Sequence, residues 1–88
     1  MKVKICGITT LEDALMASRA GADLLGLNFY PKSPRYLTPD AARDLATALR
    51  AELGADCPLL VGLFVNEVVG KISITMEKVG LNFAQLSG

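Results

Sequence analysis

Val3-Lys4-Ile5-Cys6-Gly7-Ile8-Thr9-Thr10 is the stretch whose reading decides the fold. Val3 and Ile5 alternate with Lys4 and Cys6, the period of two that marks a strand with two different faces. Gly7 breaks the period, and Thr10 is placed to cap a helix by accepting from the backbone N–H of Asp13. A thiol is thereby set at the carboxyl end of a strand, beside a glycine turn and a helix start. Parallel α/β folds put their chemistry along that edge. If the chain has a nucleophile or a general base, Cys6 is the candidate.

Outward from this unit the same pattern repeats. Residues 11–20 read as a helix, with Leu11, Ala14, Leu15 and Ser18 on the inner stripe and Gly21 as its stop. Residues 24–29 are almost wholly apolar, as expected of a strand covered on both faces. The loop Tyr30-Pro31-Lys32-Ser33-Pro34-Arg35-Tyr36 follows, where two prolines exclude regular structure. Thr38-Pro39-Asp40 then starts a second helix with an N-cap hydroxyl, a proline at its first position and an early acid. Ala42, Leu45, Ala46, Leu49 and Leu53 form its stripe, and Gly54 closes it. Residues 59–65 form a third strand. Residues 67–79 have helical spacing, with Val68, Val69, Ile72, Met76 and Val79 inward, against the preferences of Gly70 and the β-branched positions in 72–75. Gly80 ends that helix, and Phe83-Ala84-Gln85-Leu86 opens a fourth strand.

The order β-α-β-α-β-α-β implies crossover helices and a parallel sheet. An open doubly wound sheet and part of a (β/α)8 barrel share it. The dinucleotide fingerprint is missing, since Gly7 is the lone glycine of the first turn, which weakens a nucleotide-binding reading.

Composition narrows the classes. Eighty-eight residues suit one small domain, and 51% hydrophobic with 20% charged residues describes a globular chain. Nine basic and nine acidic residues balance, which leaves no electrostatic footprint for nucleic acid or an anionic membrane. The longest apolar run, residues 59–65, is far short of a bilayer span. Two cysteines, no apolar leader and no histidine point to free thiols in a reducing cytoplasm and against a zinc site.

The quoted stretches resemble one known family. Lys4-Ile5-Cys6-Gly7-Ile8-Thr9 is similar to the opening of phosphoribosylanthranilate isomerase, a (β/α)8 enzyme of tryptophan biosynthesis. Gly21-Ala22-Asp23 and Phe29-Tyr30-Pro31-Lys32-Ser33-Pro34-Arg35-Tyr36 resemble its second unit. Val61-Gly62-Leu63-Phe64-Val65-Asn66 resembles its third strand, and Ala84-Gln85-Leu86-Ser87-Gly88 its fourth. The resemblance implies an α/β fold with parallel strands and crossover helices, the N-terminal (β/α)4 half of a TIM (β/α)8 barrel, with residues 1–88 as one partial domain.

It also implies an intramolecular oxidoreductase of the aldose–ketose isomerase type. The reaction is the Amadori rearrangement of N-(5-phosphoribosyl)anthranilate to 1-(2-carboxyphenylamino)-1-deoxyribulose 5-phosphate. An acid protonates the furanose oxygen and opens the sugar to a Schiff base. A base then removes the C2 proton, and the enol-amine tautomerises to product. The substrate's imine is the electron sink, so no cofactor or metal is implied. By resemblance Cys6 is the base, acting as thiolate; otherwise it is a small buried hydrophobe, the usual fate of a free cysteine. Arg35 is the anchor for the anthranilate carboxylate, a role that suits a two-pronged guanidinium; otherwise it is a solvated loop charge. Lys32 reads as solvated. Lys4 shares the face of Cys6 and wants a carboxylate partner, which Asp23 or the missing half of the barrel can supply. Cys57 reads as a surface or packing residue.

Two departures stand out. Ser87 takes the place where the family usually has histidine, and a hydroxyl cannot hold charge near neutral pH. A whole barrel takes about 200 to 250 residues, so the general acid and phosphate cradle of its later strands are not in this chain. The chain alone is expected to be inactive. A small phosphorylated substrate is expected only with the complete barrel; nucleic acid and membrane are not expected partners. A homodimer or a complementing C-terminal half is the protein partner left open. The other readings are a self-associating structural half-barrel, two copies closing a pseudo-barrel with Cys6 from each, and a small anion-binding α/β module without catalysis. In the chain alone, Leu27 and Phe64 are expected to lack the cover of the missing wall.

Overall fold

The structure, a computed structural model, describes residues 2–88; the expected span 1–88 includes Met1, which lies outside them. Its elements are β1 (Lys4–Ile5), α1 (Leu11–Arg19), β2 (Leu24–Asn28), α2 (Pro39–Leu53), a 3-10 turn (Gly54–Asp56), β3 (Leu59–Val65), α3 (Val69–Val79) and β4 (Phe83–Ser87). All three strand pairs are parallel, in the order β1-β2-β3-β4. A doubly wound sheet reverses its strand order at a switch point. These four strands run in sequence order with no reversal.

Local chemistry sets the helix starts. Thr10 accepts from Asp13 N–H at 3.1 Å and Thr38 from Ala41 N–H at 3.1 Å, with Pro39 in the first turn of α2. The third helix departs from its expected span. It begins at Val69 rather than Glu67, because Val68 occupies the N-cap with extended dihedrals and offers no side-chain acceptor. Val68 and Val69 are therefore exposed instead of inward, and Thr75 is buried with Val79 in their place. Arg50, in the last turn of α2, reaches the far end of α3. Its guanidinium donates to the carbonyls of Val79 at 3.0 Å and Gly80 at 2.5 Å, satisfying acceptors that a helix leaves free. Gly80 adopts φ +74°, and a Cβ there would lie 2.7 Å from Arg50 Nη1.

The core lies between the sheet and the helices. Leu25, Leu27, Leu60 and Phe64 pack with Ala14, Ala17, Ala42, Leu45, Ala46, Leu49 and Val79 in one cluster. Leu27 and Phe64 are thus buried under the helices, at 0% and 3% exposure, contrary to the expectation that they lack cover. The paired residues of the other face are Lys4, Leu24 and Leu59, then Gly26, Val61 and Phe83, then Asn28, Leu63 and Gln85. No helix of the described residues covers this face, and Leu59 and Phe83 are exposed on it. No described helix is long and apolar enough to cross a membrane.

Lys78 of α3 forms an ion pair with Asp40 in the first turn of α2, and this contact holds the Asp40 carboxyl below the usual carboxylate range. A lowered folded-state value stabilises the fold above the ordinary carboxylate pKa of about 3.9. That contribution is lost as the pH falls through the lowered value. Lys78→Met should therefore reduce Tm slightly at neutral pH. The difference from wild type should shrink below about pH 3.9 and under raised salt. Thermal melts across pH 2–7 check this; a difference that grows on acidification has the wrong sign.

Candidate active site

The candidate site is assembled from the carboxyl ends of β1 and β2. The turn after β1 is tied to β2 by two donors on one acceptor: Gly7 N–H and Ile8 N–H reach the Gly26 carbonyl at 3.1 and 3.2 Å. Gly7 takes φ +78°, which a side chain resists. Cys6 is left exposed and free, with its thiol against the bare backbone of Gly26. A Cβ at Gly26 would stand 3.2 Å from Cys6 Sγ.

Arg35 arrives at the same turn from the loop after β2. Its side chain lies across Gly7, so that a Cβ there would meet Arg35 Cδ at 2.5 Å and Nη1 at 3.0 Å. Glycine is thus favoured at position 7 by its dihedral, and a side chain there would displace the flexible end of Arg35. The two residues singled out in the sequence, far apart along the chain, are brought to adjacent positions.

The loop itself is held by side chains that the sequence reading passed over. Asn28 Oδ1 accepts from Tyr30 N–H at 2.8 Å and Asn28 Nδ2 donates to Ser33 Oγ at 3.2 Å. Ser33 Oγ accepts in addition from Arg35 N–H at 3.1 Å. An amide ending an otherwise apolar strand, directly before a loop poor in N–H donors, is the signal that points to it.

Lys4, Cys6, Gly7, Gly26, Asn28, Leu63 and Gln85 are among the residues lining a depression of about 120 Å³ on the uncovered face. Lys4 Nζ donates to the Gln85 side-chain carbonyl, linking the two outer strands across it. Of the two carboxylate sources open for Lys4, Asp23 is not used: its Oδ2 accepts from Val3 N–H at 2.8 Å. Two larger depressions, of about 270 and 360 Å³, border α3 and lack Cys6; Arg35 lines none of the three and reaches the smallest only through its contact with Gly7. The smaller one is the chemically equipped one.

Ser87 ends β4 on this same uncovered face, paired with Val65 and exposed. Cys57 sits before β3, half-buried against the core, with Sγ 3.4 Å from the Pro58 carbonyl oxygen. Burial pushes its thiol up from the ordinary value, against the opposing charge of Arg50. No group of acidic, cysteine or histidine side chains among the described residues is arranged to hold a metal ion. The site offers a sulfur nucleophile or base, a guanidinium over the adjoining Gly7, and a floor of mixed apolar and polar side chains.

Comparison with known proteins places these features in context. The sequence model described as N-(5'phosphoribosyl)anthranilate (PRA) isomerase matches residues 3–88. An N-(5'-phosphoribosyl)anthranilate isomerase of Citrifermentans bemidjiense is 51% identical over 87 residues, which are 99% of this chain and 40% of that protein. The protein of the same name from Myxococcus xanthus is 48% identical over 88 residues, 39% of its length. The chain thus spans about two-fifths of the curated relatives it matches. Among solved structures, dimeric phosphoribosylanthranilate isomerase from Thermotoga maritima, in a form converted to monomers, superposes with a TM-score of 0.88 at 46% identity. All of this chain and 42% of that one are covered. A phosphoribosylanthranilate isomerase in complex with reduced 1-(o-carboxyphenylamino)-1-deoxyribulose 5-phosphate gives 0.88 at 46% identity, over 98% of this chain and 42% of that one.

Proposed function

We propose, on the premise that this chain belongs to the phosphoribosylanthranilate isomerase family, that residues 1–88 are one partial domain, the N-terminal (β/α)4 half of a (β/α)8 isomerase. Its substrate is N-(5-phosphoribosyl)anthranilate, its setting cytoplasmic tryptophan biosynthesis. Cys6 acts as general base. Its thiolate takes the C2 proton of the ring-opened iminium, and the C–H electron pair becomes the C1–C2 double bond as the iminium electrons return to nitrogen. The resulting enol-amine tautomerises to the ketone. Arg35 holds the anthranilate carboxylate through paired N–H donors. The acid that opens the ring and the phosphate cradle belong to the later strands of the barrel.

The placement of Arg35 over Gly7, next to the exposed Cys6 thiol, is the observation that carries this reading. A guanidinium over the turn that follows the Cys6-bearing strand supports an anion anchor on the same edge as the base. The test is isomerase turnover by a complete barrel, made by following residues 1–88 with the later strands of the Citrifermentans bemidjiense relative. A folded barrel without turnover overturns the reading; anthranilate binding without turnover favours the anion-binding module.

In that barrel a carboxylate anchor serves ground and transition states alike, so Arg35→Ala should chiefly raise KM, by about 10- to 100-fold. Arg35→Lys should recover only part of the loss, since an ammonium cannot make the planar two-pronged contact. Equal KM values for the three proteins return Arg35 to a solvated loop charge.

A further inference from the structure

We infer that Asn28 and Ser33 are positioning residues for Arg35, acting as a hydrogen-bonded brace that fixes where the guanidinium lies. The inference rests on the role proposed for Arg35. Pro31 and Pro34 lack N–H groups, so the loop has few donors with which to order itself. Those it has are nearly all engaged around Asn28 and Ser33. Tyr30 N–H goes to the Asn28 side chain, and Ser33 N–H to the Tyr30 carbonyl at 3.0 Å. Arg35 N–H goes to Ser33 Oγ, and Tyr36 N–H to the Ser33 carbonyl at 3.1 Å. Leu37 N–H closes the loop on the Asn28 carbonyl at 2.8 Å. The loop thus begins and ends on one residue of β2, with Ser33 as its hub.

The brace has a specific consequence for the site. Arg35 lies across Gly7 only if its own backbone is held at the right distance from the β1 turn. The bond from Arg35 N–H to Ser33 Oγ sets that distance, and Asn28 Nδ2 holds Ser33 Oγ in turn. Both partners are half-buried, so an apolar residue at position 28 would strand Tyr30 N–H and leave Ser33 Oγ held by Arg35 N–H alone. A two-pronged contact with a carboxylate tolerates little misplacement. Asn28 also lines the depression beside Cys6, which makes it the link between the loop and the reacting edge.

The experiment uses the complete barrel described above. Asn28→Leu and Ser33→Ala should each raise KM about 10-fold while kcat changes less than about 3-fold, because only anchoring is lost. Ser33→Thr, which keeps the hydroxyl, should restore KM. In an Arg35→Ala background neither substitution should raise KM further, since the brace has nothing left to position. Anthranilate affinity, titrated directly, should follow KM in every variant. Unchanged KM in Ser33→Ala, or effects that add to Arg35→Ala, overturn the inference. Ser33→Ala and Ser33→Thr leave Asn28 intact and decide the matter if Asn28→Leu fails to fold. A wild-type barrel without turnover would instead count against the isomerase reading, and anthranilate affinity would still report on the brace.

Discussion

Cys6→Ala, in a complete barrel carrying residues 1–88, is expected to lower kcat by about 10²–10⁴-fold, the usual scale for removal of a general base. The thiol lies on Gly26 with no side chain between it and the open face, so a substrate sugar can come within proton-transfer distance. Cys6→Ser should lose nearly as much, because a hydroxyl is far too weak a base at neutral pH. Affinity for reduced 1-(o-carboxyphenylamino)-1-deoxyribulose 5-phosphate should change less than about 3-fold, since a base in transit makes little ground-state contact. Cys57→Ala is the matching control. That residue sits at the amino end of β3, half-buried and away from the depression, and its loss should leave turnover near wild type. Near-wild-type turnover by Cys6→Ala would falsify the assignment of the base.

The other large effect concerns the 88-residue polypeptide made alone. It should show no isomerase turnover and should associate instead of standing as a packed monomer. β1 and β4 each present one unpaired edge. Phe83 and Leu59 are exposed on the uncovered face, and Leu86, Val69 and Ile74 at the margin of β4 and α3, with Leu86 66% exposed. Each fully covered side chain of this size stabilises an assembly by about 1.5–3 kcal/mol. With a net charge of zero, little repulsion opposes contact. A separately made C-terminal half should bind these surfaces and restore measurable turnover. Sedimentation and turnover assays, with and without that half, read both parts. A cooperatively unfolding monomer at micromolar concentration would sink the exposed-edge argument, and turnover by the polypeptide alone would move the acid and phosphate site into residues read as structural.

What could be read in the sequence was what is local in it. The Gly7 turn, the two threonine caps and the stripe of α2 depend on neighbours within a few residues, and they lie where the pattern puts them. α3 starts later than its spacing predicts, because hydrophobic spacing runs through Val68 and Val69 while the missing cap does not show in a period. Polar partners were the least legible. Lys4 turns to Gln85 rather than Asp23, and Arg50 to the end of α3. Both choices are made between elements, which no window along the chain contains. The nearness of Arg35 to Cys6 belongs to the same class: each was visible as a candidate, their adjacency only in the fold. Asn28 left a trace, an amide in an apolar strand, with nothing to say what it held.

The unbroken strand order β1-β2-β3-β4 also bears on how the chain is made. From β2 on, each strand pairs with the one synthesised just before it, so the trailing edges of β1, β2 and β3 are each completed by the next unit to leave the ribosome. The loops closed in this way span only a few tens of residues, and their entropy rises slowly with length. Assembly can therefore proceed by accretion from the N-terminus, in step with elongation at about 5–20 residues per second. At each of these steps the newest strand is the sticky one, and for β1, β2 and β3 that exposure lasts only as long as the next strand takes to arrive.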